Sequence, residues 1–317
     1  MKRDKTLGES QALTNKWTPK NGQAMTANKG NVLSSVTVAE AMRRQVVRCG
    51  SGESVARCIA RMVKYKTGAV LVEEEEGGAC LGVVSKTDVA GMYYVGMELD
   101  TPLGEIAGGD PVCCHPGDRL ETALATMLER GIRRVYVHDG EGITGVVGYA
   151  DIVGAMYRFC IRCRRNLYSS GKLRPEEAGG WLAAEDVMHQ GVMGCSASDT
   201  LQHALETLLE GGIGALAVFD GSGQKPVGIL SMSDAVVAYR HGMEQGVGVE
   251  RVMSAPVLAC EKSESLTSVL RTMIYADIQR IFVYERRLEN LAGVISLTDA
   301  ARVRSGACKA CRVASRL

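Results

Sequence analysis

The sequence predicts an α/β fold built from four copies of a strand–helix–strand–strand–helix unit, paired two and two. Three observations predict it. The first is a phrase that returns four times: Gly82-Val-Val-Ser-Lys-Thr-Asp88, Gly145-Val-Val-Gly-Tyr-Ala-Asp151, Gly228-Ile-Leu-Ser-Met-Ser-Asp234 and Gly293-Val-Ile-Ser-Leu-Thr-Asp299. Each reads as a short buried strand turning into a helix, with a hydroxyl and a carboxylate on the helix's first turn. The second is a cysteine, at a near-constant distance upstream of each aspartate, that closes a short apolar strand: Cys49, Cys114, Cys195 and Cys260. The third is the spacing of the aspartates. The steps from Asp88 to Asp151 and from Asp234 to Asp299 are nearly equal, and the step between them is longer, which groups the copies into two joined pairs.

Each element follows from local pattern. Six positions after each cysteine an amphipathic helix begins. Its apolar stripe is Val55, Ile59, Met62 and Val63 in the first copy and Leu120, Leu124, Met127 and Leu128 in the second. The third copy has Leu201, Leu205, Leu208 and Leu209, and the fourth Leu266, Leu270, Met273 and Ile274. Steps of four, seven and eight put one face of each helix on something apolar. Asp118 with Glu121 and Asp199 with Gln202 fit a capping box at two helix starts. β-Branched runs such as Val135-Tyr-Val137 and Ile281-Phe-Val-Tyr284 supply the second strand, and the Gly-led phrase supplies the third strand and last helix. A unit this small exposes one face of its sheet, so pairing with a neighbour is the expected way to bury it.

Unit length, element order and the Gly-h-h-Ser-x-x-Asp phrase together resemble the CBS domain. The lead-ins Val38-Ala-Glu-Ala-Met42, Ala184-Glu-Asp-Val-Met188 and Val249-Glu-Arg-Val-Met253 are similar to the turn that opens such domains. The resemblance covers roughly residues 36 to 305. The expected organisation is a polar tail at 1–35, repeats at 36–100 and 101–163, a linker at 164–183, repeats at 184–246 and 247–305, and a tail at 306–317. The resemblance implies two Bateman modules, each with two clefts that commonly hold AMP, ADP, ATP or S-adenosylmethionine. It also implies a stand-alone sensor that binds such an adenosyl ligand and signals to a protein partner; with no G-x-x-x-x-G-K-[ST] loop, H-E-x-x-H helix or G-x-S-x-G elbow in the sequence, no enzymatic activity is expected.

Carried over residue by residue, the resemblance assigns ribose hydroxyls to Asp88, Asp151, Asp234 and Asp299, since a carboxylate accepts two hydrogen bonds from a vicinal diol. Ser85, Ser231 and Ser296 would contact ribose or phosphate. The second copy departs from the pattern, with Gly148 where the hydroxyl belongs. Arg134 and Arg280 stand where the family often places a basic residue for phosphate, whereas copies one and three carry Ala69 and Ala215 there. The blander reading of the aspartates, as helix caps alone, stands beside this one.

The eleven cysteines offer a second class of function. The strand-end four read as small buried hydrophobes, and Cys58, Cys80 and Cys113 have no partner in the pattern. Cys160-Ile-Arg-Cys163 and Cys308-Lys-Ala-Cys311 differ: each pair starts nine positions after its unit's aspartate. Two thiols at i and i+3 face one way, so the two pairs could meet as a four-thiolate zinc or iron–sulfur site on a CBS scaffold. A dithiol switch, or ordinary thiols, remain the alternatives.

Composition bounds the rest. A formal net charge of +1 gives no general pull towards nucleic acid or membrane, and the short basic tail from Lys309 to Arg316 is a weak exception. No apolar run approaches a membrane span and the start lacks a signal-peptide core, so a cytoplasmic location is expected. The five histidines (His115, His138, His189, His203, His241) fall at different places in their units and read as surface or loop residues. The chain is expected either to fold its two modules together or to pair them across a homodimer.

Overall fold

The computed structural model describes residues 32–75, 77–162 and 182–304. A one-turn helix α1 (Val38–Ala41) leads into the first unit: β1 (Arg48–Gly50), α2 (Val55–Lys64), β2 (Ala69–Glu73), β3 (Cys80–Ser85) and α3 (Lys86–Tyr94). The second comprises β4 (Cys113–Cys114), α4 (Leu120–Glu129), β5 (Arg134–His138), β6 (Ile143–Gly148) and α5 (Tyr149–Arg162). A short strand β7 (His189–Gln190) precedes the third: β8 (Gly194–Ser196), α6 (Leu201–Glu210), β9 (Ala215–Phe219), β10 (Pro226–Ser231) and α7 (Met232–Arg240). The fourth comprises β11 (Ala259–Glu261), α8 (Leu266–Tyr275), β12 (Arg280–Glu285), β13 (Arg287–Ser296) and α9 (Leu297–Arg304). In every unit the first strand runs parallel to the second and the second antiparallel to the third.

The helices begin where the periodicity places them, at Val55, Leu120, Leu201 and Leu266. The first, fifth and eighth residues of each helix are at most 1% exposed, and the fourth (Cys58, Ala123, Ala204, Val269) is buried as well. Full burial of one such leucine is worth about 1.5–3 kcal/mol. Val63, at the edge of its stripe, is 37% exposed.

The capping expected at two starts takes a different form. Thr200, not Asp199, caps α6 by accepting the His203 N–H, and Arg119 precedes α4 with no side-chain cap. Asp118 and Asp199 reach back instead to the His115 and Ser196 N–H groups, at 2.7 and 2.8 Å, closing the turn between strand and helix. Full boxes form at Ser85/Asp88 and Ser231/Asp234, inside the repeated phrase.

Four apolar clusters show how the units assemble. Leu71, Tyr136 and Val146 join the first sheet to the second, and Ala217, Val257 and Phe282 join the third to the fourth. Sheets therefore pack within each pair. Helices pack between pairs: α2 and α3 meet α6 and α7 in one core, and α5 meets α8 and α9 in the other. The two modules thus close on each other within one chain.

Each lead-in belongs to its pair partner rather than to its own unit. Val38 and Ala41 of α1 sit in the core with α4 and α5, and β7 joins the fourth unit's sheet beside β13. The glycine that starts each phrase makes room for this exchange. A Cβ on Gly145 would stand 2.5 Å from Met42 Sδ, and Cβ atoms on Gly228 and Gly293 would run into Met253 and Met188. Gly82 meets the backbone of Gly108 in the same way, at 3.0 Å. Closeness of approach is what requires glycine here.

Candidate functional site

The repeated phrase places its carboxylate at the start of α3, α5, α7 and α9, and one oxygen of each has the same task. Asp88, Asp151, Asp234 and Asp299 each accept the backbone N–H three residues earlier, at 2.7 to 2.8 Å. Capping is thus common to all four, as the plainer reading expects. The second oxygen distinguishes them.

Asp151 is tied by Arg43, whose Nε lies 3.1 Å away. Burial pushes its carboxyl above the usual carboxylate range, against the pull of that guanidinium. Asp299 is buried; His189 Nε2 stands 2.7 Å from one oxygen, and the Ser296 hydroxyl donates to the other at 2.5 Å. Asp234 accepts the Ser231 hydroxyl on one oxygen and the Ser254 hydroxyl on the other, both at 2.6 Å. Asp88 is exposed and has no second partner among the described residues.

Arg43, His189 and Ser254 occupy one repeat-equivalent position, the residue after the lead-in methionine, and Gly108 fills it in the second unit. The backbone bridges Arg43 to Val146, Gly108 to Val83, His189 to Val294 and Ser254 to Ile229. His189 is therefore no loose surface histidine. The reading of His189 as a surface or loop residue fails because each lead-in crosses to its partner unit, so its contact is invisible within a single unit. Aligning the lead-ins one residue beyond the methionine would have found it.

Arg134 and Arg280 stand at the first positions of β5 and β12, and their guanidinium groups cross to another unit. A Cβ on Gly68 would lie 2.6 Å from Arg134 Nη2, and one on Gly214 would run into the Arg280 guanidinium. In each case that unit is the other member of the pair. Gly68 O accepts the Lys86 N–H, and Gly214 O the Met232 N–H, at the first residues of α3 and α7. The carboxylates that act on these guanidinium groups are those of their own units, Asp151 on Arg134 and Asp299 on Arg280. Burial lowers the pKa of Arg280 to about 10, with Arg133 adding to the shift, and the group stays charged at neutral pH. Neither arginine has a carboxylate within ion-pair distance among the described residues. Lys86 donates to the Ser233 hydroxyl across the module seam at 2.8 Å.

The four clefts are thus unequal. Asp88 and Asp234 have their serines and, among the described residues, no ion pair. Asp299 has its serine and the His189 imidazole, and Asp151 has Gly148 and the Arg43 guanidinium. Two cavities lie elsewhere. One of 530 Å³ runs between α3 and α7 past Tyr93, Met97, Tyr239 and Met243, and one of 380 Å³ sits between Val192, Phe219 and Leu291. None of the four aspartates lines either.

Of the C-x-x-C cysteines, Cys163, Cys308 and Cys311 lie outside the described residues, and Cys160 falls on the last turn of α5. Among the described residues no group of three or more His, Cys, Asp or Glu side chains could hold a metal ion. The strand-end thiols behave as packing groups: Cys49 and Cys260 are buried, and burial pushes Cys260 up to about 12. Cys114 and Cys195 are only partly buried, with values pushed up to about 11. Cys58 does have a partner: its thiol is hydrogen-bonded to that of Cys49.

The CBS domain family matches residues 38–93, 103–158, 184–241 and 249–306. This chain belongs to the CBS domain family. It is similar to the CBS domain-containing protein YhcV of Bacillus subtilis, 26% identical over 117 residues that span 37% of this chain and 82% of that one. It also resembles protein MJ1225 of Methanocaldococcus jannaschii, 24% identical over 59% of this chain and 66% of the relative. The crystal structure of MJ1225 superposes with a TM-score of 0.69 at 14% identity, covering 84% of this chain and 99% of that chain. An uncharacterised Pyrococcus horikoshii protein follows at 0.54 and 20% identity, covering 85% and 100%. At these identities the structures speak for the fold alone. No helix among the described residues is long and apolar enough to cross a membrane.

Proposed function

We propose that this CBS protein is a regulatory sensor that binds an adenosine-containing phosphate ligand, AMP, ADP or ATP, in clefts between paired repeats. S-Adenosylmethionine is the weaker candidate, because it brings no phosphate to an arginine. The observation that carries the reading is the placement of Arg134 and Arg280. Each is a guanidinium without a carboxylate partner among the described residues. Each lies against a glycine of the paired unit, Gly68 or Gly214, whose carbonyl accepts the first amide of α3 or α7. A phosphate would complete the charge there and share the helix amides. The nearby carboxylate would accept the ribose diol.

Regulation follows from the assembly. Each cleft lies where two repeats meet, and the helices that carry the ligating residues, α3 and α7, also form the seam between modules. A ligand that favours one tilt of that seam shifts the population by its difference in affinity for the two states. A protein partner would read the tilt.

Isothermal titration of the full chain with AMP, ADP, ATP and S-adenosylmethionine tests the proposal. Arg134→Ala and Arg280→Ala should each weaken nucleotide binding at one cleft by roughly 10- to 100-fold, the loss of a charge-assisted contact to phosphate. No heat and no thermal shift with any of the four compounds would defeat the reading.

A further inference from the structure

We infer that the residue following each lead-in is a gate that decides which clefts accept ligand: Gly108 leaves the first open, Ser254 holds one loosely, and Arg43 and His189 close the other two. The inference rests on the adenosine-phosphate reading above and adds to it an order of occupancy.

Four copies of one position provide an internal comparison. In every copy the residue after the lead-in bridges to the third strand of the paired unit, two positions ahead of the serine, or of Gly148 in the second unit, and five ahead of the aspartate. Its side chain, where it has one, bonds the carboxylate that the cap leaves partly free. Arg43 does so with a charged group at 3.1 Å, His189 at 2.7 Å and Ser254 with a neutral hydroxyl at 2.6 Å. At Gly108 the same space is open: a Cβ there would meet nothing within 4 Å. The Asp88 carboxylate behind it keeps one oxygen for solvent.

A vicinal diol needs both oxygens of a carboxylate, or one oxygen and a neighbouring acceptor. At Asp88 it finds one oxygen free. At Asp234 a ribose hydroxyl can replace the Ser254 hydroxyl like for like. At Asp151 and Asp299 it must displace a guanidinium or an imidazole from a carboxylate shielded from water, at 11% and 8% side-chain exposure. Displacing a bonded group without restoring its partner is the costlier exchange.

The test uses the full chain and AMP, with uptake counted by equilibrium dialysis and thermal unfolding as the check on folding. The wild-type chain should take up two AMP, at Asp88 and Asp234. Gly108→Arg, which supplies the first cleft with the group that closes the second, should lose one equivalent, or at least tenfold in its affinity, while the other equivalent stays. His189→Gly should gain a third. AMP uptake unchanged by both substitutions overturns the gate and leaves the nucleotide reading standing. No AMP uptake by the wild-type chain overturns that reading and the gate with it. Should Gly108→Arg fail to fold, His189→Gly decides alone: a gained equivalent supports the gate, and none overturns it.

Discussion

Asp88 and Asp299 end the same phrase of sequence and stand at equivalent helix starts, yet they live in opposite surroundings. Asp88 is exposed, caps its helix with one oxygen and keeps the other free. Asp299 is 7% exposed and receives a backbone N–H, a serine hydroxyl and an imidazole. The difference arises outside the phrase, in one residue of the paired unit: Gly108 against one and His189 against the other. An open carboxylate and a structural clamp can therefore share motif, spacing and backbone position.

The comparison can be broken by substitution at its two ends. Asp299→Ala leaves three donors unsatisfied beside a buried site, so denaturant unfolding should show a loss of about 2–3 kcal/mol. Gly145→Ala comes next. Its Cβ would stand 2.5 Å from Met42 Sδ and 3.2 Å from Arg43 O, so the exchanged lead-in must shift, at about 1–2 kcal/mol in the same measurement. Asp88→Ala removes only a cap and should cost about 1 kcal/mol of stability or less. Its effect belongs in ligand titration, where one equivalent should disappear. If Asp88→Ala destabilises as much as Asp299→Ala, the two carboxylates share one role and the comparison fails. Smallest of all is Lys66→Ala. It breaks the ion pair with Asp277 across the module seam, but side chains 77% and 67% exposed should hold the change within about 0.5 kcal/mol.

Much of the fold was legible because the unit repeats. Helix starts at Val55, Leu120, Leu201 and Leu266 followed from a stripe that depends only on spacing, and the serine–aspartate boxes from residue types three apart. The capping expected from Asp118 and Asp199 went elsewhere because a carboxylate one position early reaches the strand-end amide before the helix amides. At the site, the sequence singled out Arg134 and Arg280 but not that each reaches a glycine of the paired unit. His189 was passed over because its meaning depends on Asp299, which belongs to the following unit of the chain. The Cys49–Cys58 contact was hidden likewise, since it joins a strand end to a helix face.

By itself the sequence determined the four units, their pairing and the carboxylate at each helix start, because hydrophobic period, hydroxyl-to-carboxylate spacing and duplication are local quantities. Only the tertiary structure decided that the lead-ins exchange between units, that the modules close within one chain, and that three of four carboxylates are already engaged. Those outcomes depend on which surfaces meet between segments far apart in the chain, where packing and the need to satisfy buried polar groups select one partner among several with suitable chemistry.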